Sequence, residues 1–180
     1  MLATAKLNGA EFDALPYEEG RKWELLDGDL IEVSSPTPRH QKSVGRLFVN
    51  LEPFLRQQTL GDVLLEVEYA LGADIRLRPD MSILLHERSS RLDLDRNSIP
   101  GAPNIAIEVI SPSERSLQSL SKVRAYLRHG AEEVWQFYPQ ASEVLVHSPG
   151  PAIVVLRSGE FIETPLIPGW RAAVSELFLS

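Results

Sequence analysis

Residues 104–110 read Asn-Ile-Ala-Ile-Glu-Val-Ile, NIAIEVI, and run directly into Ser111-Pro112-Ser113-Glu114. The first stretch is short, rich in β-branched residues and almost continuously apolar, the pattern of a strand buried on both faces at the middle of a covered sheet. The serine and glutamate that follow have capping-box spacing, with proline at the first helical position, so the spacing predicts a helix opening there. Its buried side is expected to carry Leu117, Leu120, Val123 and Leu127, with Gly130 as its stop.

Working outward, EEVWQFY (132–138) and EVLVHS (143–148) read as strands joined by a turn at Pro139 to Ser142, followed by the strand AIVVLR (152–157) and a short helix in AVSELF (173–178). Upstream, Pro79 precedes the strand MSILL (81–85), and VLLEVEYAL (63–71) reads as one strand carrying Glu66 and Glu68. Residues 86–100 are polar and charged, as in a surface loop. Val44, Leu47, Phe48, Leu51 and Leu55 recur at three- and four-residue spacing and predict a helix over 39–57. Asp27-Gly28 predicts a tight hairpin between strands at 22–26 and 29–34. Strands and helices alternate without a single repeating unit, which makes the class α/β or α+β with a mixed central sheet flanked by helices.

The 180 residues suit one domain, with 1–16 as a lead-in, a core over about 17–147, and a C-terminal strand and short helix in 148–180. A hydrophobic content of 43% against 24% charged residues is ordinary for a folded globular chain. With 18 Lys and Arg against 25 Asp and Glu, the net charge of −7 excludes a strongly basic, indiscriminate nucleic-acid coat. The absence of cysteine removes disulfides, thiolate metal sites and cysteine nucleophiles, and fits a cytoplasmic setting. No stretch has the form of a signal peptide or a membrane span, so neither export nor membrane insertion is expected.

Glu108 stands out because its carboxylate lies in an apolar strand and requires a cation, a basic side chain or backbone donors nearby. Asp80 follows Pro79 at the mouth of a neighbouring strand. Should the two strands pair, the carboxylates converge into a hard-oxygen site of the kind magnesium or manganese prefers. Lys122 sits at the margin of its helix's apolar face, four residues before Tyr126, where it can act on such a pair or simply extend to solvent. A structural ion pair for Glu108 and a turn role for Asp80 remain open on these grounds. Arg39, His40, Lys42 and Arg46 cluster at the start of the first long helix, as a solvated face or as a contact to a phosphate backbone. His40, His86, His129 and His147 lack zinc-ligand spacing, and no nucleophile elbow, phosphate-binding loop or dinucleotide fingerprint is present.

Four segments in order, WELLDGDLIEVSSPTPRHQ (23–41), PDMSILL (79–85), IEVISPS (107–113) and SKVRAYLRHGAEEVWQFYP (121–139), closely resemble a large bacterial family of restriction endonuclease-like proteins in the PD-(D/E)XK nuclease-like superfamily. The resemblance spans about residues 17–147. It implies a restriction endonuclease-like mixed sheet flanked by helices and a Mg²⁺- or Mn²⁺-dependent hydrolysis of DNA phosphodiesters. The implied metal ligands are Asp80, Glu108 and the backbone carbonyl of Val109, with Lys122 and Glu24 as further site residues. The superfamily's usual lysine two positions after the glutamate is replaced here by Ile110, and Lys122 on the next helix stands in its place. The superfamily also implies a homodimer, for which no heptad or interface signature is present. The alternative is a module that keeps the fold without turnover, with Asp80, Glu108 and Lys122 as a buried ion-pair network. Because metal-binding carboxylates repel phosphate until the cation arrives, DNA affinity is expected to be weak without divalent metal and to rise when it is supplied.

Overall fold

Asp27 and Gly28 both adopt positive φ, 50° and 80°, as the tight turn of a right-twisted hairpin demands. In the computed structural model, which describes residues 6–112 and 115–178, this turn joins β1 (Lys22–Leu26) to β2 (Asp29–Val33), after a short helix α1 (Gly9–Asp13) capped by Asn8. The long helix α2 (Pro38–Gln58) follows, opened by the Thr37 hydroxyl accepting from the His40 N–H and by Pro38 in its first turn, and closed by Thr59 in the left-handed region. Then come β3 (Gly61–Leu65), β4 (Glu68–Gly72), β5 (Ile75–Leu77) and β6 (Met81–Leu85), a helical turn α3 (His86–Ser89), β7 (Ser98–Pro100) and β8 (Ile105–Val109). Helix α4 (Ser116–Arg128) leads to β9 (Glu133–Tyr138), β10 (Glu143–His147) and β11 (Ile153–Arg157), and the chain ends in β12 (Phe161–Glu163), β13 (Arg171–Ala173) and α5 (Val174–Leu177).

Two large sheets and a separate β12-β13 ribbon organise these elements. The larger runs β11-β10-β9-β8-β6-β3, with β8 and β9 parallel and the other pairs antiparallel. The smaller runs β2-β1-β5-β4-β7. The strand NIAIEVI lies inside the larger sheet and is buried on both faces. Ile105, Ile107 and Val109 pack into a core with Leu47, Leu51 and Leu55 of α2, while Ala106 joins a second core with Val123, Ala125 and Tyr126 of α4.

Several expectations change in three dimensions. VLLEVEYAL is broken at Glu66, whose φ of 49° turns the chain, so that β3 pairs in the larger sheet and β4 in the smaller one. The segment 86–100 is not all loop, since it holds α3 and β7. Helix α4 begins at Ser116 with no side-chain cap, not at the expected capping serine Ser111, and Glu114, the other member of the expected capping box, lies outside the described residues. Its inward face is also rotated: Leu117 and Leu120 are 80% and 37% exposed, while Ser119, Lys122, Val123, Ala125 and Tyr126 are buried. Both stripes have helical spacing and share Val123, but the one chosen carries the polar groups that the sheet end requires. Beyond residue 147, Ile162, Ile167, Trp170, Val174 and Phe178 complete the core under α2, with Trp170 stacked on Trp135 at 5.6 Å. Among the described residues no helix is long and apolar enough to cross a membrane.

The entry to β3 has no room for a side chain. Gly61 has φ 156°, and a Cβ placed on it lies 2.1 Å from the Leu84 carbonyl oxygen and 2.8 Å from the Leu85 Cα of the paired strand. Backbone atoms cannot yield as a flexible side-chain tip can. Gly61→Ala is therefore expected to cost about 2–3 kcal/mol and to lower the melting temperature by several degrees in a thermal denaturation scan.

Candidate functional site

The β6–β8 ladder pairs Met81 with Ile107, and one more step of the same register sets Asp80 opposite Glu108. The two carboxylates suspected in the sequence are thus brought together at one end of the larger sheet. Asp80 is held there from two sides, its Oδ2 accepting the Val109 N–H at 2.7 Å and lying 3.1 Å from His40 Nε2. Ile110 donates its N–H to Phe137 of β9, so the alternate residue Val109 turns its N–H, and with it its carbonyl, toward the Asp80 side. The Asp80 carboxylate therefore lies against the same edge of β8 as the Val109 N–H and carbonyl.

Glu108 is buried at the same end, and its Oε1 accepts the Tyr126 hydroxyl at 3.1 Å. The phenol is pushed well above its ordinary pKa, chiefly by burial and then by the Glu108 and Glu24 carboxylates, so it stays protonated and donates. Lys122 is only 7% exposed; its Nζ lies 2.7 Å from Glu24 Oε2 and 3.9 Å from Glu108 Oε1. Glu24, on β1, accepts the Arg78 N–H with its other oxygen at 2.9 Å. Glu24, Lys122 and Glu108 thus form a continuous chain across the gap between the two sheets.

These groups open onto a cleft of about 530 Å³, walled by β1, β2, the Ser34–Thr37 connector and the approach to α4. Glu66 also lines it. Its carboxyl is held below the ordinary range by the hydrogen bond from Lys22, and its N–H donates to the Asp80 carbonyl at 3.3 Å. Arg78 reaches the neighbouring Glu68 at 3.1 Å, where burial raises the carboxyl and Arg78 partly offsets the rise. Around the innermost part stand three carboxylates, Glu24, Asp80 and Glu108, and the single ammonium of Lys122.

The donor set is all oxygen, as a hard divalent cation prefers. Among the described residues no three Asp, Glu or His side chains converge on a point that could hold a metal. Two carboxylates and a backbone carbonyl fit an ion that keeps several waters, as Mg²⁺ does. The excess of negative charge over Lys122 favours a cation in the same place.

All four side chains singled out in the sequence, Glu24, Asp80, Glu108 and Lys122, line this cleft. His40, read with the basic cluster, lies against Asp80, and Arg46 donates to the Phe178 carbonyl; only Arg39 and Lys42 remain on the surface. No spacing in the sequence links His40 to a residue forty positions later. Tyr126 had a legible signal, since it follows Lys122 by four residues on the same face.

Lys122→Met leaves Glu24 and Glu108 buried without their cation. The expected loss is about 3 kcal/mol or more at neutral pH. Chemical denaturation at neutral pH checks this, as a lower transition midpoint than the parent's with an unchanged slope.

Comparison with known proteins agrees with this architecture. A crystal structure titled as a putative nuclease belonging to DUF820 from Anabaena variabilis superposes with a TM-score of 0.86 at 21% identity, covering 95% of this chain and 97% of that one. No protein of curated function matches the chain. The mixed α+β fold expected from the sequence is therefore that of this nuclease-titled structure. The family described as "Uma2: Putative restriction endonuclease" matches residues 10–175, a longer span than the motifs alone covered, and the chain belongs to that family.

Proposed function

We propose that the cleft is the active site of a divalent-metal-dependent endonuclease that hydrolyses DNA phosphodiesters. The observation that carries this reading is the opposition of Asp80 and Glu108 across the β6–β8 register, with the Val109 carbonyl on the same edge. These three groups would hold Mg²⁺ or Mn²⁺. A divalent ion supplies the Lewis acidity such a hydrolysis needs, polarising the phosphate and acidifying water.

The chain's own residues do the rest. His40 and Tyr126 each sit on one carboxylate oxygen and fix its orientation, as outer partners of metal-ligating groups do. Glu24 fixes the Lys122 ammonium from behind, leaving its charge beside Glu108, where it can orient an attacking water and stabilise charge developing on the phosphate. Burial of the network keeps these donors preorganised.

One observation favours a second reading, a binding module without turnover: Lys122 is already engaged by Glu24. That module requires the lysine to bridge Asp80 and Glu108, whereas Asp80 is engaged by His40 and Val109. Plasmid incubated with Mg²⁺ or Mn²⁺ separates the two. Cleavage is expected with the parent and should be lost in Asp80→Ala and Glu108→Ala, with Lys122→Ala slower by about 100-fold. In calorimetry, Mn²⁺ binding should vanish in Asp80→Ala and weaken at least about tenfold in Tyr126→Phe. Parent protein no more active than Glu108→Ala would overturn the nuclease reading.

A further inference from the structure

A nuclease cleft receives one phosphate of a continuous polymer, so the flanking nucleotides need a path across the protein. Next to the cleft lies a second groove, about 1040 Å³, that shares with it Lys22, Trp23, Arg78 and the connector Val33–Pro36. From the structure we infer that this groove is the track for a single-stranded segment of the DNA substrate, leading to or from the bond cut in the cleft. The inference rests on the nuclease reading only for what happens in the cleft.

Three features of the groove support it. The first is aromatic surface: Tyr17 lies on the groove wall 88% exposed, and Trp23 forms the shared rim with the Arg21 guanidinium 5.9 Å from its ring centroid. An exposed ring and an arginine–indole pair are platforms on which unpaired bases stack. A duplex keeps its base faces inside its own stack and cannot use them; a single strand can.

The second is charge. Although the chain is −7 overall, the groove is lined by four basic residues, Arg21, Lys22, Arg78 and Arg96, against Asp13, Glu18 and Glu68. Most of these charges are paired: Asp13 with both arms of Arg76 at 3.1 Å each, Lys22 with Glu66, Arg21 with Glu18 and Glu32, and Arg78 with Glu68, which leaves Arg96. Arg96 is exposed, and its side chain makes no hydrogen bond or ion pair among the described residues. It is a cation available to a phosphate. The third feature is continuity, since Arg78 lines both cavities and its backbone N–H is anchored on Glu24, the partner of Lys122. A strand lying along the groove therefore passes Arg78 before it reaches Lys122 and the carboxylate pair.

The test uses the full chain in EDTA at low salt, where the metal-free carboxylates weaken DNA binding but the groove's own contacts still act, with fluorescence anisotropy of a labelled oligonucleotide, single-stranded or as a duplex of the same length. The single strand is expected to bind more tightly. Tyr17→Ala should weaken it about tenfold, the loss of one base–aromatic stack. Arg96→Ala should also weaken it and reduce the slope of log affinity against log salt by about 0.7. Both residues are exposed, so melting temperatures should match the parent, and both variants should hydrolyse the small diester bis(4-nitrophenyl) phosphate in Mn²⁺ as the parent does. Absence of single-strand binding, equal affinity for the duplex, or single-strand affinity unchanged in both variants would overturn the inference. Failure of the nuclease reading gives a different result: neither plasmid nor the small diester is hydrolysed, while single-strand binding and its dependence on Tyr17 persist.

Discussion

Two carboxylates set opposite each other at the end of a buried sheet repel one another and are poorly solvated, so they stand only if neighbouring elements supply donors and positive charge. The surroundings of Asp80 and Glu108 are organised around that requirement. Helix α2 brings His40 to Asp80, β8 offers the Val109 N–H, and α4 brings Tyr126 and Lys122 to Glu108. Glu24 then balances the buried ammonium from the second sheet. The larger sheet, its two flanking helices and the smaller sheet all meet at this cluster.

The same requirement accounts for the setting of α4. On apolar spacing alone, Leu117 and Leu120 have as good a claim to the interior as Ser119 and Lys122. Exposing Leu117 forgoes most of the roughly 1.5–3 kcal/mol that full burial would gain, and Leu120, 37% exposed, only a fraction of it. Leaving Glu24 and Glu108 buried without Lys122 is costlier, because an uncompensated charge in the interior costs several kcal/mol. Ser119 adds to the same choice by accepting the Gln136 side-chain amide at 2.7 Å, from the residue paired with Glu108 on β9. The helix is rotated to satisfy polar groups, and the apolar stripe gives way.

The cluster is buried, negative and already hydrogen-bonded, which is the setting the proposed cation-dependent chemistry requires. Each of the two inner carboxylates has an oxygen bound by a neutral donor or a backbone amide, which orients it without cancelling its charge. Lys122 stands to one side, fixed by Glu24, so that its charge adds to the site without closing it. The division of labour between orienting donors and a single cation is what distinguishes this cluster from a simple structural salt bridge.

Much of the architecture was legible in the residues. The Asp-Gly turn, the apolar run at 104–110, the amphipathic spacing of α2 and the strands around Pro139 follow from local rules of backbone and hydrophobic periodicity, which act over a few positions. The four residues that the structure gathers in one cleft were singled out too, Glu108 by the incongruity of an acid in an apolar strand and the others by their likeness to family motifs. What local rules could not decide was which of two overlapping stripes α4 buries, that VLLEVEYAL splits between two sheets at Glu66, or that His40 turns to Asp80 rather than to solvent. Each depends on partners dozens of residues away. The sequence by itself determined the elements and the chemically unusual residues, because propensity and periodicity are local. The tertiary structure alone decided their register and rotation, because burial obliges every charge to find a counterpart wherever the chain happens to place one.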